Sequence, residues 1–299
     1  MSTPTAAGFV AIVGLPNTGK STLLNGLVGE RLSIVTPKAQ TTRQRLLGIF
    51  TDDRHQAVFV DTPGLLEPRY LLQQGMLEDA RQAAAEADVV LYVADAGDAA
   101  SLSHARAWSA PRHRPLLLCL NKVDRPGTRA AEGLAAGFRS AGPWDEVRCT
   151  VATRGTGVAD LRAAILSRLP AGPFLYPEDE IATAPVRFFA AELVREACFQ
   201  RLGQELPYSI AVGIEEFREA ADPVYVAATI FVERESQKGM VIGRAGAMVR
   251  EIGTEARRGI ERLTGRRVYL DLRVKVMRNW RRDPARLKLL GYPIPSRRD

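Results

Sequence analysis

The chain has 299 residues, 46% of them hydrophobic, enough for two domains with cores of their own, and it carries a formal net charge of +7. Its three cysteines, Cys119, Cys149 and Cys198, are scattered among apolar neighbours and exclude a disulfide framework or a Cys-based metal site, in keeping with a reducing cytoplasm. His55, His104 and His113 lack ligand-like spacing, which excludes zinc; no apolar run is long enough to span a bilayer, and the first residues lack a secretory leader pattern.

In chain order, the first element is a buried strand, Phe9 to Val13, running into Gly14-Leu15-Pro16-Asn17-Thr18-Gly19-Lys20-Ser21. This G-x-x-x-x-G-K-S lies between a strand and a helix, the context of a phosphate-binding loop. Its glycines let successive N–H groups point inward at a polyphosphate, and the helix N-terminus adds its dipole. Lys20 is expected on the β- and γ-phosphates and the Ser21 hydroxyl on Mg²⁺, with Thr22 next in the nucleotide-contacting set. A polar stretch, Ser33 to Arg43, occupies the place of a switch segment, where a threonine hydroxyl would complete the Mg²⁺ shell; Thr42 is favoured over Thr41.

The strand Val58 to Val60 ends in Asp61-Thr62-Pro63-Gly64, a D-x-x-G. Asp61 would hold Mg²⁺ through water, and the Gly64 N–H would sense the γ-phosphate. Leu116 to Leu120 ends in Asn121-Lys122-Val123-Asp124, an N-K-x-D. The Asp124 carboxylate can accept from both N1–H and the 2-amino group of guanine, whereas adenine would leave a buried charge unpaired. Asn121 would brace the phosphate loop and Lys122 would lie along the base. These motifs sit in a frame of apolar strands at about 9–13, 46–50, 57–61, 89–94, 116–120 and 147–151. Helical patterns at about 20–28, 71–86, 101–110, 128–141 and 157–168 alternate with them. That alternation predicts a mostly parallel α/β sheet with helices on both faces.

Pro170, Pro173, Pro177 and Pro185 interrupt the periodicity and predict a boundary, with domains at 1–172 and 186–299 and a linker at 173–185. Beyond it, Val186 to Leu202 reads as an amphipathic helix with Phe189, Leu193, Ala197 and Phe199 as buried candidates. Strands are predicted at Ser209 to Phe217, Val224 to Glu233 and Val268 to Val276. Gly243-Arg244-Ala245-Gly246 opens a helix with Met248, Ile252, Ala256, Ile260 and Leu263 as its apolar stripe. Helix–strand–strand–helix–GxxG–helix–strand is the order of a type II KH fold. A GxxG turn between two helices lets an RNA backbone approach closely, and unstacked single-stranded bases suit such a groove. Charge supports this independently: from Gln237 onward there are 17 Lys and Arg against 6 Asp and Glu. Lys238, Gly243, Arg244, Ala245, Gly246 and Arg250 are the candidate RNA contacts.

Pro16-Asn17, Lys38-Ala39-Gln40-Thr41-Thr42-Arg43 and Asp61-Thr62-Pro63-Gly64-Leu65 together resemble the Era family of bacterial GTPases, translation-factor-related enzymes with a C-terminal KH domain. The resemblance extends through Glu205-Leu206-Pro207-Tyr208-Ser209 and Val241-Ile242-Gly243-Arg244-Ala245-Gly246 to Leu289-Leu290-Gly291-Tyr292. It implies binding and hydrolysis of GTP, with Mg²⁺, and binding of the 3′ end of small-subunit ribosomal RNA during assembly of that subunit. Leu65 stands where Ras-like enzymes orient water with glutamine, a substitution the family shares. Asn17 is then the candidate compensating residue, either as a K⁺ ligand beside the phosphates or as a brace of the loop. Val151-Ala152 replaces the usual Ser-Ala before the last nucleotide loop. Ala152 is still expected to offer its N–H to guanine O6, while the lost hydroxyl predicts weaker bracing.

The expected protein is a cytoplasmic, monomeric GTPase: a P-loop domain, then a smaller α+β KH domain with a basic C-terminal tail. Two alternatives stay open. One is a GTP-dependent RNA-binding assembly factor with negligible turnover. The other is a membrane-associated signalling GTPase whose basic end meets anionic lipid at the inner face of the cell membrane, although no anchoring motif is present.

Overall fold

The computed structural model describes residues 4–36, 38, 40–109, 113–125, 136–203 and 205–295. They divide into two compact units, one of residues 1–68 and 75–183, the other of residues 69–74 and 184–299.

The first unit is built on a six-stranded sheet in the order β2-β3-β1-β4-β5-β6. Its strands are β1 Ala6–Val13, β2 Leu46–Thr51, β3 His55–Asp61, β4 Val89–Asp95, β5 Leu116–Asn121 and β6 Glu146–Thr150. Only β2 runs antiparallel to its neighbour. β4 (VVLYVAD) and β5 (LLLCLN) are buried at every residue, the uninterrupted apolar pattern of strands covered on both faces. The helices are α1 Lys20–Val28, α2 Leu71–Glu86, of which residues 75–86 belong to this unit, α3 Ala99–Ala107 and α4 Val158–Leu166. α3 starts earlier than its apolar pattern suggests because Asp98 caps it, accepting from the N–H groups of Ala100 and Ser101. Of the helix expected at 128–141, residues 126–135 lie outside the described residues, and 136–139 are helical.

Much of the expected linker is strapped to this sheet. The Gln56 side chain, fully buried, accepts from the N–H groups of Leu175 and Tyr176 at 2.7 and 2.9 Å. The Ile49 N–H donates to the Ile181 carbonyl, so the strap covers the otherwise open edge of β2.

The second unit runs α5 Val186–Arg201, β7 Ala211–Arg218, β8 Val224–Val232, α6 Glu235–Ile242, α7 Ala247–Thr264, β9 Val268–Val276 and α8 Pro284–Leu289. β8 lies between antiparallel β7 and parallel β9, and the α6–α7 pair supplies the crossover that a parallel connection needs. β7 begins two residues later than predicted because Leu206–Ser209 forms a 3₁₀ turn around Pro207. The core differs from the predicted stripe in detail. Ala190, Val194 and Cys198 carry the buried face of α5, leaving Phe189 and Leu193 half-buried, and Leu263 is 41% exposed at the end of α7. The basic tail is folded over its described residues: Trp280 is fully buried, donates from Nε1 to the Ser209 carbonyl at 3.0 Å and stacks on Tyr292.

Candidate functional site

The parallel strands end where their following loops converge on a cleft of about 500 Å³. The loop after β1 wraps its floor. Gly14 has φ 148°, and a Cβ there would lie 2.2 Å from the Val93 carbonyl oxygen. Gly19 has φ 100°, and a Cβ there would lie 2.2 Å from the Asn121 amide nitrogen. Both positions therefore require glycine for conformation and for space. Lys20 opens α1 and folds back over the loop, its Nζ donating to the carbonyls of Gly14 and Leu15 at 3.1 and 2.8 Å. Burial lowers its pKa to about 8, against the raising influence of Asp61 and with a further lowering from Lys122. The Thr18 hydroxyl donates to the Leu15 carbonyl.

Next to Lys20 lies a knot of oxygen donors. Ser21 Oγ, Ser33 Oγ and Thr42 Oγ1 donate to Asp61 Oδ2 at 2.8, 3.0 and 3.1 Å. Ser21 Oγ and Thr42 Oγ1 are 2.8 Å apart. The other Asp61 oxygen, Oδ1, is buried and has no hydrogen-bond partner among the described residues. Burial pushes the Asp61 carboxyl above its usual range, opposed by Lys20 and the three hydroxyls. Clustered hydroxyls beside an unsatisfied carboxylate oxygen are the hard oxygen donors that Mg²⁺ prefers. Thr41 turns away, to Thr36 Oγ1 and the Lys38 carbonyl.

Gly64 and Leu65 close over the loop. A Cβ on Gly64 would lie 2.7 Å from the Pro16 nitrogen, and the Leu65 N–H donates to the Gly14 carbonyl at 3.0 Å. Thr62 donates to the Ile12 carbonyl. The Leu65 side chain, expected among the nucleotide contacts, is 3% exposed and packs in the core, where its apolar surface is removed from water. Val123 likewise packs against that core.

At the other end of the cleft, the Asn121 amide donates to the Thr18 carbonyl at 2.9 Å, the expected brace of the phosphate loop. Its oxygen accepts from Thr150 Oγ1 at 3.1 Å and from the Ala152 N–H at 3.0 Å. Ala152 therefore commits to this brace the N–H expected for guanine O6. Lys122 Nζ donates to Asp95 Oδ2 at 2.8 Å and to the Asn17 carbonyl, and Arg125 meets the same Asp95 oxygen at 2.9 Å. The Asp124 carboxylate stands 3.5 Å from Arg154 Nη2. Asn17 has φ 62° and exposes its side chain at the cleft.

Ser33, Asp95 and Thr150 escaped the sequence reading. Asp95 had a usable signal: like Asp61, it is a carboxylate at the end of a buried parallel strand. Ser33 and Thr150 had none, since an isolated hydroxyl has no recognisable spacing.

In the second unit the GxxG turn joins α6 to α7, with Arg244 and Ala245 exposed. Ala245 adopts φ 51° and ψ 30°, and Arg250 holds the turn by donating to the Ala245 and Gly246 carbonyls. Arg250 thus has a local task beyond any contact with phosphate. The two glycines differ. A Cβ on Gly243 would lie 2.6 Å from Met248 Cβ, whereas Gly246 meets nothing nearer than Arg250 Nε at 4.0 Å. Lys238 lies half-buried on α6.

Comparisons with known proteins agree with this geometry. Residues 9–122 match the family described as 50S ribosome-binding GTPase, and residues 205–281 match the KH domain. The GTPase Era of Desulfovibrio desulfuricans is 42% identical over 298 residues, spanning 95% of this chain and 96% of the relative. That of Mesorhizobium japonicum is 43% identical, spanning 97% and 95%. The chain belongs to the GTPase Era family.

Among solved structures, Era in complex with MgGDPNP and nucleotides 1506–1542 of 16S ribosomal RNA matches with a TM-score of 0.91 and 39% identity, covering 97% of this chain and 100% of that one. A variant of Aquifex aeolicus Era bound to GDP·AlF4⁻ matches at 0.90 and 38%, with the same coverage. As an Era-family member, the chain is a GTPase with a P-loop domain followed by a KH domain.

Proposed function

We propose that the protein is a GTP-driven switch that binds the 3′ end of small-subunit ribosomal RNA and assists assembly of the small ribosomal subunit. The observation that carries the enzymatic half is the Ser21–Thr42–Asp61 knot beside buried Lys20, with an Asp61 oxygen left for a cation. Mg²⁺ held there would neutralise charge on the β- and γ-phosphates. Lys20 supplies a second positive charge, released from the Gly14 and Leu15 carbonyls as phosphate oxygens replace them. The Gly64 N–H reports the γ-phosphate to the segment leading into α2. Asn121 to Asp124 select guanine.

Leu65 has no group with which to orient water, and its side chain is in the core. Asn17, exposed at the cleft, is the residue we assign to a K⁺ ion beside the phosphates. Replacing K⁺ by Na⁺ is expected to slow hydrolysis by the natural protein and to matter little in Asn17→Ala; equal rates in both salts would remove this assignment.

For the RNA half, the solved Era that matches this chain carries 16S nucleotides 1506–1542. The exposed GxxG turn and the excess of Lys and Arg over Asp and Glu from Gln237 onward support a nucleic-acid surface in this chain. Crosslinking in cells, followed by sequencing of the attached RNA, tests the reading. The 3′ end of small-subunit RNA should be enriched, and single-turnover hydrolysis should respond to that RNA. Enrichment without any measurable turnover would instead identify a non-hydrolysing assembly factor.

We place the protein in the cytoplasm as a monomer. Among the described residues no helix is long and apolar enough to cross a membrane. Vesicle co-sedimentation in competition with RNA tests peripheral contact of the basic C-terminal end with anionic lipid.

A further inference from the structure

Asn121 ties three segments together: its own strand end, the phosphate loop through Thr18, and the loop after β6 through Ala152 and Thr150. The orientation of its amide is set by its partners. The Thr18 carbonyl can only accept and the Ala152 N–H can only donate, so a flipped amide would lose both bonds. The Asn121 oxygen therefore accepts, and the proton of the Thr150 hydroxyl must point at it. Thr150 is fully buried and stands beside Asn121 in the register of β5 and β6, so its hydroxyl proton goes to the amide oxygen, a far stronger acceptor than a thiol sulfur. Cys119 Sγ lies 3.1 Å from the same hydroxyl oxygen. With the hydroxyl proton committed to Asn121, the thiol is the donor in that contact. Burial pushes the thiol up to about 12, which keeps the proton in place.

We propose that Thr150 is the positioning residue of the guanine site, fixing the Asn121 amide with the hydroxyl that Val151 lacks. The weaker bracing expected from Val151 is offset one position earlier, from the strand instead of the loop. Thr150 touches neither base nor phosphate, so its effect appears in nucleotide retention and not in the chemical step. The inference rests on Asn121 to Asp124 being the base-reading loop.

The test uses the full-length protein and a fluorescent GDP analogue. Thr150→Val keeps shape and removes the hydroxyl, leaving part of the buried amide unsatisfied. It should speed GDP release by about five- to twentyfold, the range of one lost buried hydrogen bond, with kcat at saturating GTP within about twofold. Thr150→Ser should restore retention. In an Asn121→Ala background, Thr150→Val should add nothing, because its partner is gone. Unchanged release in Thr150→Val, failure of Thr150→Ser to restore it, or an equal loss in the Asn121→Ala background would each overturn the proposal. If Asn121→Ala itself bound GDP normally, the assignment of the base-reading loop would fall instead, so the two failures are distinguishable.

Discussion

Two glycine-hinged turns carry the phosphate contacts proposed for this chain, and they are built on opposite principles. In the loop after β1, Gly14 and Gly19 each have backbone or amide atoms 2.2 Å from where a Cβ would stand, and Lys20 and Asp61 are buried beside them. In the turn before α7, Gly243 is locked against Met248, Gly246 borders open space, and the charges are exposed. The first site stores desolvated charge, so small changes there alter chemistry. The second presents screened charge on a thin backbone, so changes there alter association and its salt dependence. Burial is what separates a catalytic phosphate site from a docking one.

The largest effect should come from breaking the buried site. Lys20→Ala and Asp61→Ala are each expected to lower kcat by about a thousandfold or more while RNA affinity without nucleotide stays within about twofold. Comparable activity in either variant would show that the buried pair is structural only. Next, Asp124→Asn replaces an acceptor of two guanine N–H groups with an amide. Preference should shift toward xanthosine triphosphate by about a hundredfold in competition binding. Unchanged selectivity would remove Asp124 from base reading.

The docking turn is sharpened by separating its glycines. Gly246→Asp adds a side chain and a negative charge in open space, at a left-handed φ of 75° that costs a non-glycine residue about 1 kcal/mol, and should weaken RNA binding by about ten- to a hundredfold with basal GTP hydrolysis nearly unchanged and a smaller loss of melting temperature than at Gly243. Gly243→Asp must displace the first turn of α7, and should lower stability by about 1–3 kcal/mol as read by thermal unfolding. Equal melting temperatures for the two variants would contradict the asymmetry. A Gly246→Asp protein that binds RNA normally would show that this turn is not the clamp.

The smallest effect is in pH. In the nucleotide-free protein Lys20 has a pKa lowered to about 8, chiefly by burial. A bound polyphosphate favours the charged lysine, so the bound pKa lies higher. Below pH 8 the lysine is charged in both states and affinity is flat. Above pH 8 the free protein loses its proton and must regain it on binding, so GTP affinity should fall by up to about tenfold per pH unit. Calorimetry at pH 8.5 in buffers of different ionisation enthalpy should register this proton uptake, and its absence would mean that Lys20 stays charged in the free protein.

What could be read directly from the chain were features whose contacts are local or whose order is diagnostic. The loop from Gly14 to Ser21 curls on itself, so its spacing carries its conformation. D-x-x-G and N-K-x-D are recognisable because each terminates an apolar strand, and parallel strand ends converge. The order of elements after Pro185 is likewise diagnostic of a KH-type arrangement. What depended on the fold were contacts between distant residues. Ser33 reaches Asp61 across 28 positions and Thr150 reaches Asn121 across 29, and nothing in the sequence around either hydroxyl names its partner. The roles of Leu65, Ala152 and Arg250, and the unequal constraints on Gly243 and Gly246, were set by which neighbours the packing placed against them. Spacing along a chain encodes periodicity and turn chemistry; it does not encode which buried donor meets which acceptor, and only the closed tertiary structure decides that.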